Sequence, residues 1–160
     1  MDDWQDRVDA VWADDALSDD DRVRAVDSLA LERRNEDAVA LFERAGARDS
    51  AGAEMAAVSY YRRALAAGLD ESRRAQATIQ LASTLRNLGR IDESLQMLKE
   101  ERERGGALSD EATAFYALAL VSAGDSAAAA SVALEALAPH LSQYRRSVTA
   151  YAREIGERDT

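Results

Sequence analysis

Three glycines constrain this chain more than any other feature. Gly52, Gly89 and Gly124 stand 37 and 35 positions apart, each where one apolar stripe stops and the next begins. Glycine enters the left-handed backbone region without steric cost, so it ends a helix and lets the chain reverse. Reversals at such a spacing describe a row of helical hairpins. One hairpin cannot bury its apolar face alone, so hairpins of this kind stack and each packs mainly on its neighbours. The chain has 160 residues, enough for one domain built this way.

The stripes themselves have helical period. Val23, Val26, Leu29 and Ala30 form one, Met55, Val58, Tyr61 and Leu65 another, and Thr78, Leu81, Ala82, Leu85 and Leu88 a third. Ala and Leu are abundant, β-branched residues are few and Pro139 is the sole proline, so helix costs little almost everywhere. About nine short helices are expected and no strand. Ser18, Asp70 and Ser109 each precede acidic residues and read as N-caps, where a side-chain oxygen and negative charge both favour the helix start. Pro139 closes the eighth segment.

A glycine turn at roughly 34-residue spacing is the period of a tetratricopeptide array. Ala75 to Arg104 carries the likeness best: Leu81, Ala82, Leu85 and Gly89 match the first helix and turn, with Ile91, Ser94 and Leu98 in the second helix. Asp110 to Leu141 repeats the scheme through Tyr116, Ala117, Leu120, Gly124, Ala129 and Ala136. The strings FERAGARDSAG, YYRRALAAGL and QATIQLASTLRNLG, within Asn35 to Leu137, resemble the small bacterial tetratricopeptide proteins grouped as a "group 5" family. The resemblance implies an all-α, right-handed superhelical array that binds other proteins, with a homodimer among the states it allows, and it implies no catalytic activity. Thr78 and Thr113 depart from it, standing where a tryptophan is common.

The expected organisation is an acidic helical extension over 1–34, three repeats within 35–139 (about 38–69, 75–106 and 110–141), and a capping helix and tail over 140–160. The final helix is expected from Leu141 to Ile155, burying Leu141, Tyr144, Val148, Tyr151 and Ile155. Up to Asp21 the extension carries nine aspartates against Arg7 alone, and Trp4 and Trp12 share a face with Val8 and Val11. The plainest reading packs that helix on the first repeat; a tryptophan pair is also suited to contact a second subunit or another protein.

In arrays of this kind the first helix of each repeat lines the binding groove. By that analogy the middle repeat presents Gln76, Ile79, Ser83, Arg86 and Asn87, the last repeat Leu118, and the first repeat Phe42 and Asp49. An Asn amide donates to and accepts from a ligand backbone, and Arg offers a planar fork to a carboxylate. The bland alternative is that Arg86 pairs with a nearby Asp or Glu and Asn87 satisfies the helix end. The leading function is therefore a protein-interaction module holding a partner peptide or helix in its groove. The alternative is a self-associating protein whose groove is filled by its own terminal helix or a second subunit.

Other classes fit poorly. The net charge of −10 disfavours nucleic acid, which surplus Lys and Arg would bind. There is no cysteine and one histidine, so neither thiolate chemistry nor a histidine-cluster metal site is available. Asp14 to Asp21 lacks the glycine and closing glutamate of a calcium loop. His140 reads as a capping or exposed residue rather than a catalyst. No phosphate-cradling loop, nucleophile elbow or zinc-protease motif occurs, so no enzyme activity and no cofactor are expected. Without a membrane-length apolar run or a basic leader, the expected location is the cytoplasm.

Overall fold

The computed structural model describes residues 3–157. Among these the chain forms nine α-helices and no strand: α1 (Asp3–Ala13), α2 (Asp19–Ala30), α3 (Ala38–Ser50), α4 (Glu54–Ala67), α5 (Glu71–Asn87), α6 (Ile91–Arg104), α7 (Ser109–Ser122), α8 (Ser126–Leu137) and α9 (Arg145–Glu157). A single 3₁₀ turn, Ala138–His140, follows α8 and carries Pro139, which cannot continue the helix.

The three glycine turns share one hydrogen-bond pattern. Ala53 N–H donates to Arg48 O at 2.8 Å, Arg90 N–H to Leu85 O at 2.9 Å and Asp125 N–H to Leu120 O at 3.0 Å. In each turn the glycine N–H reaches back three residues over 3.0 Å, and φ lies between 72° and 89°. These bonds satisfy the last carbonyls of α3, α5 and α7, which would otherwise lack partners. Small residues recur around each turn, seven positions before the glycine and five after. They are Ala45 and Ala57, Ala82 and Ser94, and Ala117 and Ala129, all buried. Ser18 and Asp70 cap as expected, accepting from Asp21 N at 3.2 Å and Arg73 N at 3.0 Å. Ser109 does not: Leu108 holds the cap position of α7, and Ser109 lies one residue inside, its carbonyl accepting from Thr113 Oγ1.

The chain divides into two compact units, the first ending at Thr84 and the second beginning at Leu85. In the first, α1 packs with α2, α2 with α3, and α3 with α4. Trp4, Val8, Ala30 and Ala40 form a core, with Trp12, Leu29 and Val39 packed against it. Trp4 Nε1 donates to Leu29 O at 2.8 Å, and the Arg33 guanidinium lies 4.6 Å from a Trp4 ring centroid. The N-terminal helix thus packs on the first repeat, as its apolar stripe implies. Tyr61 is fully buried, its ring 6.3 Å from that of Phe42.

In the second unit α6 packs on α7, α7 on α8 and α8 on α9. Ala117, Leu120 and Ala129 form a core cluster with Leu95, Tyr116 and Val132. The last helix corrects two expectations. It begins at Arg145, not Leu141, because Leu141 is extended, Ser142 and Gln143 bend the chain, and Tyr144 has a φ of +63°. Its buried residue is Ala152, whereas Tyr144 and Tyr151 are 76 % and 64 % exposed. The face toward α8 is set by close approach: a Cβ at Gly156 would lie 2.9 Å from Ser131 Oγ. Bulky tyrosines cannot occupy so narrow a seam, and they turn outward.

Candidate functional site

The positions predicted to line a groove divide into covered and open sets. In the first unit Phe42 and Ile79 are buried, Asp49 and Ser83 half-buried, and Gln76 exposed. Asp49 accepts hydrogen bonds from Thr84 Oγ1 at 2.9 Å and Tyr61 Oη at 3.3 Å. It therefore fastens α3 to α4 and α5. Burial raises its carboxyl pKa, against the lowering effect of those two donors. The Tyr61 phenol is also pushed up, first by burial and then by the Asp49 charge.

Trp12 Nε1 donates to Glu43 Oε2 at 2.8 Å, and Gln5 Nε2 to Glu43 Oε1 at 3.5 Å. Arg73 Nη2 in turn donates to Gln5 Oε1 at 3.1 Å. Glu43 is buried, and burial pushes its pKa above the ordinary carboxylate value, with the two donors opposing. Sequence reading missed this residue. The signal was a glutamate set between Phe42 and Ala45 on an apolar stripe; its donors on α1 are 31 and 38 positions away and gave none. Trp12 also covers Gly46, whose Cβ would lie 3.4 Å from the indole.

In the second unit Arg86 Nη2 donates to Asn87 Oδ1 at 3.2 Å. The expected ion pair is not formed: among the described residues no carboxylate lies within bonding distance of the Arg86 guanidinium. Its Nε is buried without a hydrogen-bond partner. Asn87 is exposed. His140 is exposed too, with Nε2 at 3.2 Å from Asp110 Oδ2.

The open set sits on α7 and α8. Ala114, Leu118 and Val121 occupy the positions that Phe42, Gly46 and Asp49 hold in the first repeat, counted from the glycine turn. There they are exposed, Leu118 by 46 % and Val121 by 54 %. With Ala117, Ala129, Ala130 and Ala133 they line an apolar groove of about 490 Å³ whose single polar lining residue is Ser126. The reason lies nine positions after each glycine. Tyr61 and Leu98 fill that place in the first two repeats, but Ala133 stands there in the third and leaves the space empty.

Among the described residues no group of three His, Asp or Glu side chains is arranged to hold a metal ion. No helix of the described chain is long and apolar enough to cross a membrane.

This arrangement of paired helices, glycine turns and small interhelical residues defines an α-helical repeat of the tetratricopeptide class. The model of one tetratricopeptide repeat family matches residues 38–155, and the chain belongs to that family. Tetratricopeptide domains are generally protein–protein interaction modules, and the match is to no enzyme family. No curated protein matches the chain.

Proposed function

We propose that this protein is a non-enzymatic adaptor that holds an apolar-faced helix of a partner protein in the α7–α8 groove. The observation that supports this is the open groove of Leu118, Val121, Ala114, Ala130 and Ala133, with buried Ala117 and Ala129 in its floor. A helix presenting large side chains at i, i+3 and i+4 suits alanine-floored space of this kind, and burial of those side chains supplies affinity. Arg86 and Asn87 belong to the same unit but do not line the groove; they are proposed as polar contacts beyond it, a fork for a carboxylate and an amide for peptide backbone. Gln76 and Ser83 remain candidates for contacts on the first unit.

Affinity capture from the source organism's lysate tests the proposal, comparing the parent with Leu118→Asp and with the Arg86→Glu, Asn87→Ala pair. A protein retained by the parent and lost from folded variants supports the groove as its site. Equal retention by all three overturns the assignment. A second reading, self-association, is favoured by the exposure of Leu137, Tyr144 and Tyr151 in that unit. A mass in solution that rises with concentration, and falls to the monomer in Tyr151→Ser, would make a second copy the occupant.

A further inference from the structure

The first unit carries a cleft of quite different chemistry. It lies where α2 gives way to α3, has a volume of about 280 Å³, and is lined by Arg33, Arg34, Arg44 and Arg63. Four guanidinium groups around one cleft are unexpected in a chain of net charge −10. Glu36 and Asp37 also line it, so their engagements matter. Glu36 is bound by Arg63 through Nε at 3.2 Å and through Nη2. It is held there by a backbone at φ +64°, outside the ordinary range for a side-chain-bearing residue. Asp37 is occupied at the start of α3, accepting from Ala40 N at 2.9 Å, with Arg33 Nε at 3.5 Å.

Two arginines keep donors in reserve. Arg44 spends Nε on Asp27 at 2.7 Å, and among the described residues neither of its Nη nitrogens donates a hydrogen bond. Arg34 is exposed, and among the described residues its guanidinium has no carboxylate or carbonyl partner. Each Nη carries two N–H groups in a planar fork that matches an oxyanion. Beside them Leu31 stands 80 % exposed, the most exposed large apolar side chain described, with Leu41 and Ala40 in the floor.

We propose that this cleft is a second recognition site, separate from the α7–α8 groove, for an acidic peptide segment. It would take a carboxylate between Arg34 and Arg44 and an adjacent aliphatic side chain on Leu31. The charge selects an anion, and the leucine at the lip selects a peptide over an inorganic anion. The site lies within the first unit and needs nothing from the second.

Fluorescence anisotropy with a labelled Gly-Ser-Gly-Leu-Glu-Glu peptide tests it on the full chain. The acidic peptide is expected to bind about tenfold more tightly than Gly-Ser-Gly-Leu-Gln-Gln amide, with added salt weakening it. Arg34→Gln should weaken binding about fivefold without loss of helix, because among the described residues no hydrogen bond or ion pair holds that side chain. Leu31→Ser should weaken the Leu-bearing peptide while leaving a Gly-Ser-Gly-Gly-Glu-Glu peptide unchanged. Four outcomes overturn the proposal. One is equal binding of the neutral peptide, and another is competition by inorganic phosphate as effective as by unlabelled acidic peptide. The others are binding lost in Leu118→Asp but kept in Arg34→Gln, and a self-association that Arg34→Gln abolishes. Leu118→Asp leaves this site intact, so failure here and failure of the α7–α8 reading are told apart.

Discussion

The place nine residues after each glycine turn permits a quantitative test of the repeat logic. Leu98 fills it in the middle repeat at 1 % exposure, while Ala133 leaves it open in the last. Leu98→Ala removes three buried carbons and leaves a cavity, so it should cost about 3 kcal/mol. For a chain of this size that corresponds to a melting point lower by roughly 6–12 °C. Ala133→Leu adds the same carbons to a groove open on one side. At about 0.8 kcal/mol per buried CH₂ and about half burial, the gain is near 1.2 kcal/mol. Restricting the new side chain offsets about 0.5 kcal/mol of it. The variant should therefore be more stable by about 0.7 kcal/mol, with a melting point higher by about 2 °C. Thermal unfolding followed by the helix signal in circular dichroism measures both. If Ala133→Leu lowers stability by about 1 kcal/mol or more, the groove is too tight for a leucine and is no vacant packing face. If Leu98→Ala costs below about 1 kcal/mol, the position is no core site and the equivalence of the repeats fails.

Three further outcomes follow from particular side chains. Glu43→Gln should stabilise the protein near pH 7 by about 1 kcal/mol, since the amide still accepts from Trp12 without a buried charge. Glu43's folded pKa is raised, so the parent regains stability as the pH falls through it, and the difference between the two should close; urea titrations across that range measure it. Asp27 behaves oppositely. Burial pulls its pKa up, but hydrogen bonds from Arg48 and then Arg44 outweigh that and hold it below the ordinary carboxylate range. Its contribution is therefore present above the unfolded value and lost as the pH falls through the folded one. Asp27→Asn should cost about 1 kcal/mol at pH 7 and nothing in strong acid, read from the same titrations. Leu85→Asp, at a position with no exposure, should lose several kcal/mol and unfold the helices, visible in the far-ultraviolet spectrum.

Much of this was readable without coordinates because it is local. A left-handed helix end favours glycine whatever surrounds it, so Gly52, Gly89 and Gly124 announced the three hairpins, and their hydrogen bonds are the same. Helical period, the caps at Ser18 and Asp70 and the break at Pro139 likewise depend on residues within one turn of each other. The apolar character of the last repeat's candidate positions, Leu118 above all, was legible in the same way.

Which face of a helix is covered depends on what else packs there, and the neighbours come from distant sequence. Phe42 and Ile79 read as groove residues, yet both are buried, and Asp49 is taken by Tyr61 and Thr84. Tyr144 and Tyr151 share an apolar stripe with Val148 but lie outside, because α9 meets α8 along its smallest side chains. Arg86 lacks the expected ion pair, and Glu43 finds its donors on α1, 31 and 38 positions away. Backbone sterics and helical period act within a few residues, so the helices, their turns and their repeat could be read along the chain. Which of those helical faces remain open to a partner could not, since exposure is a property of the assembled neighbours rather than of any one segment.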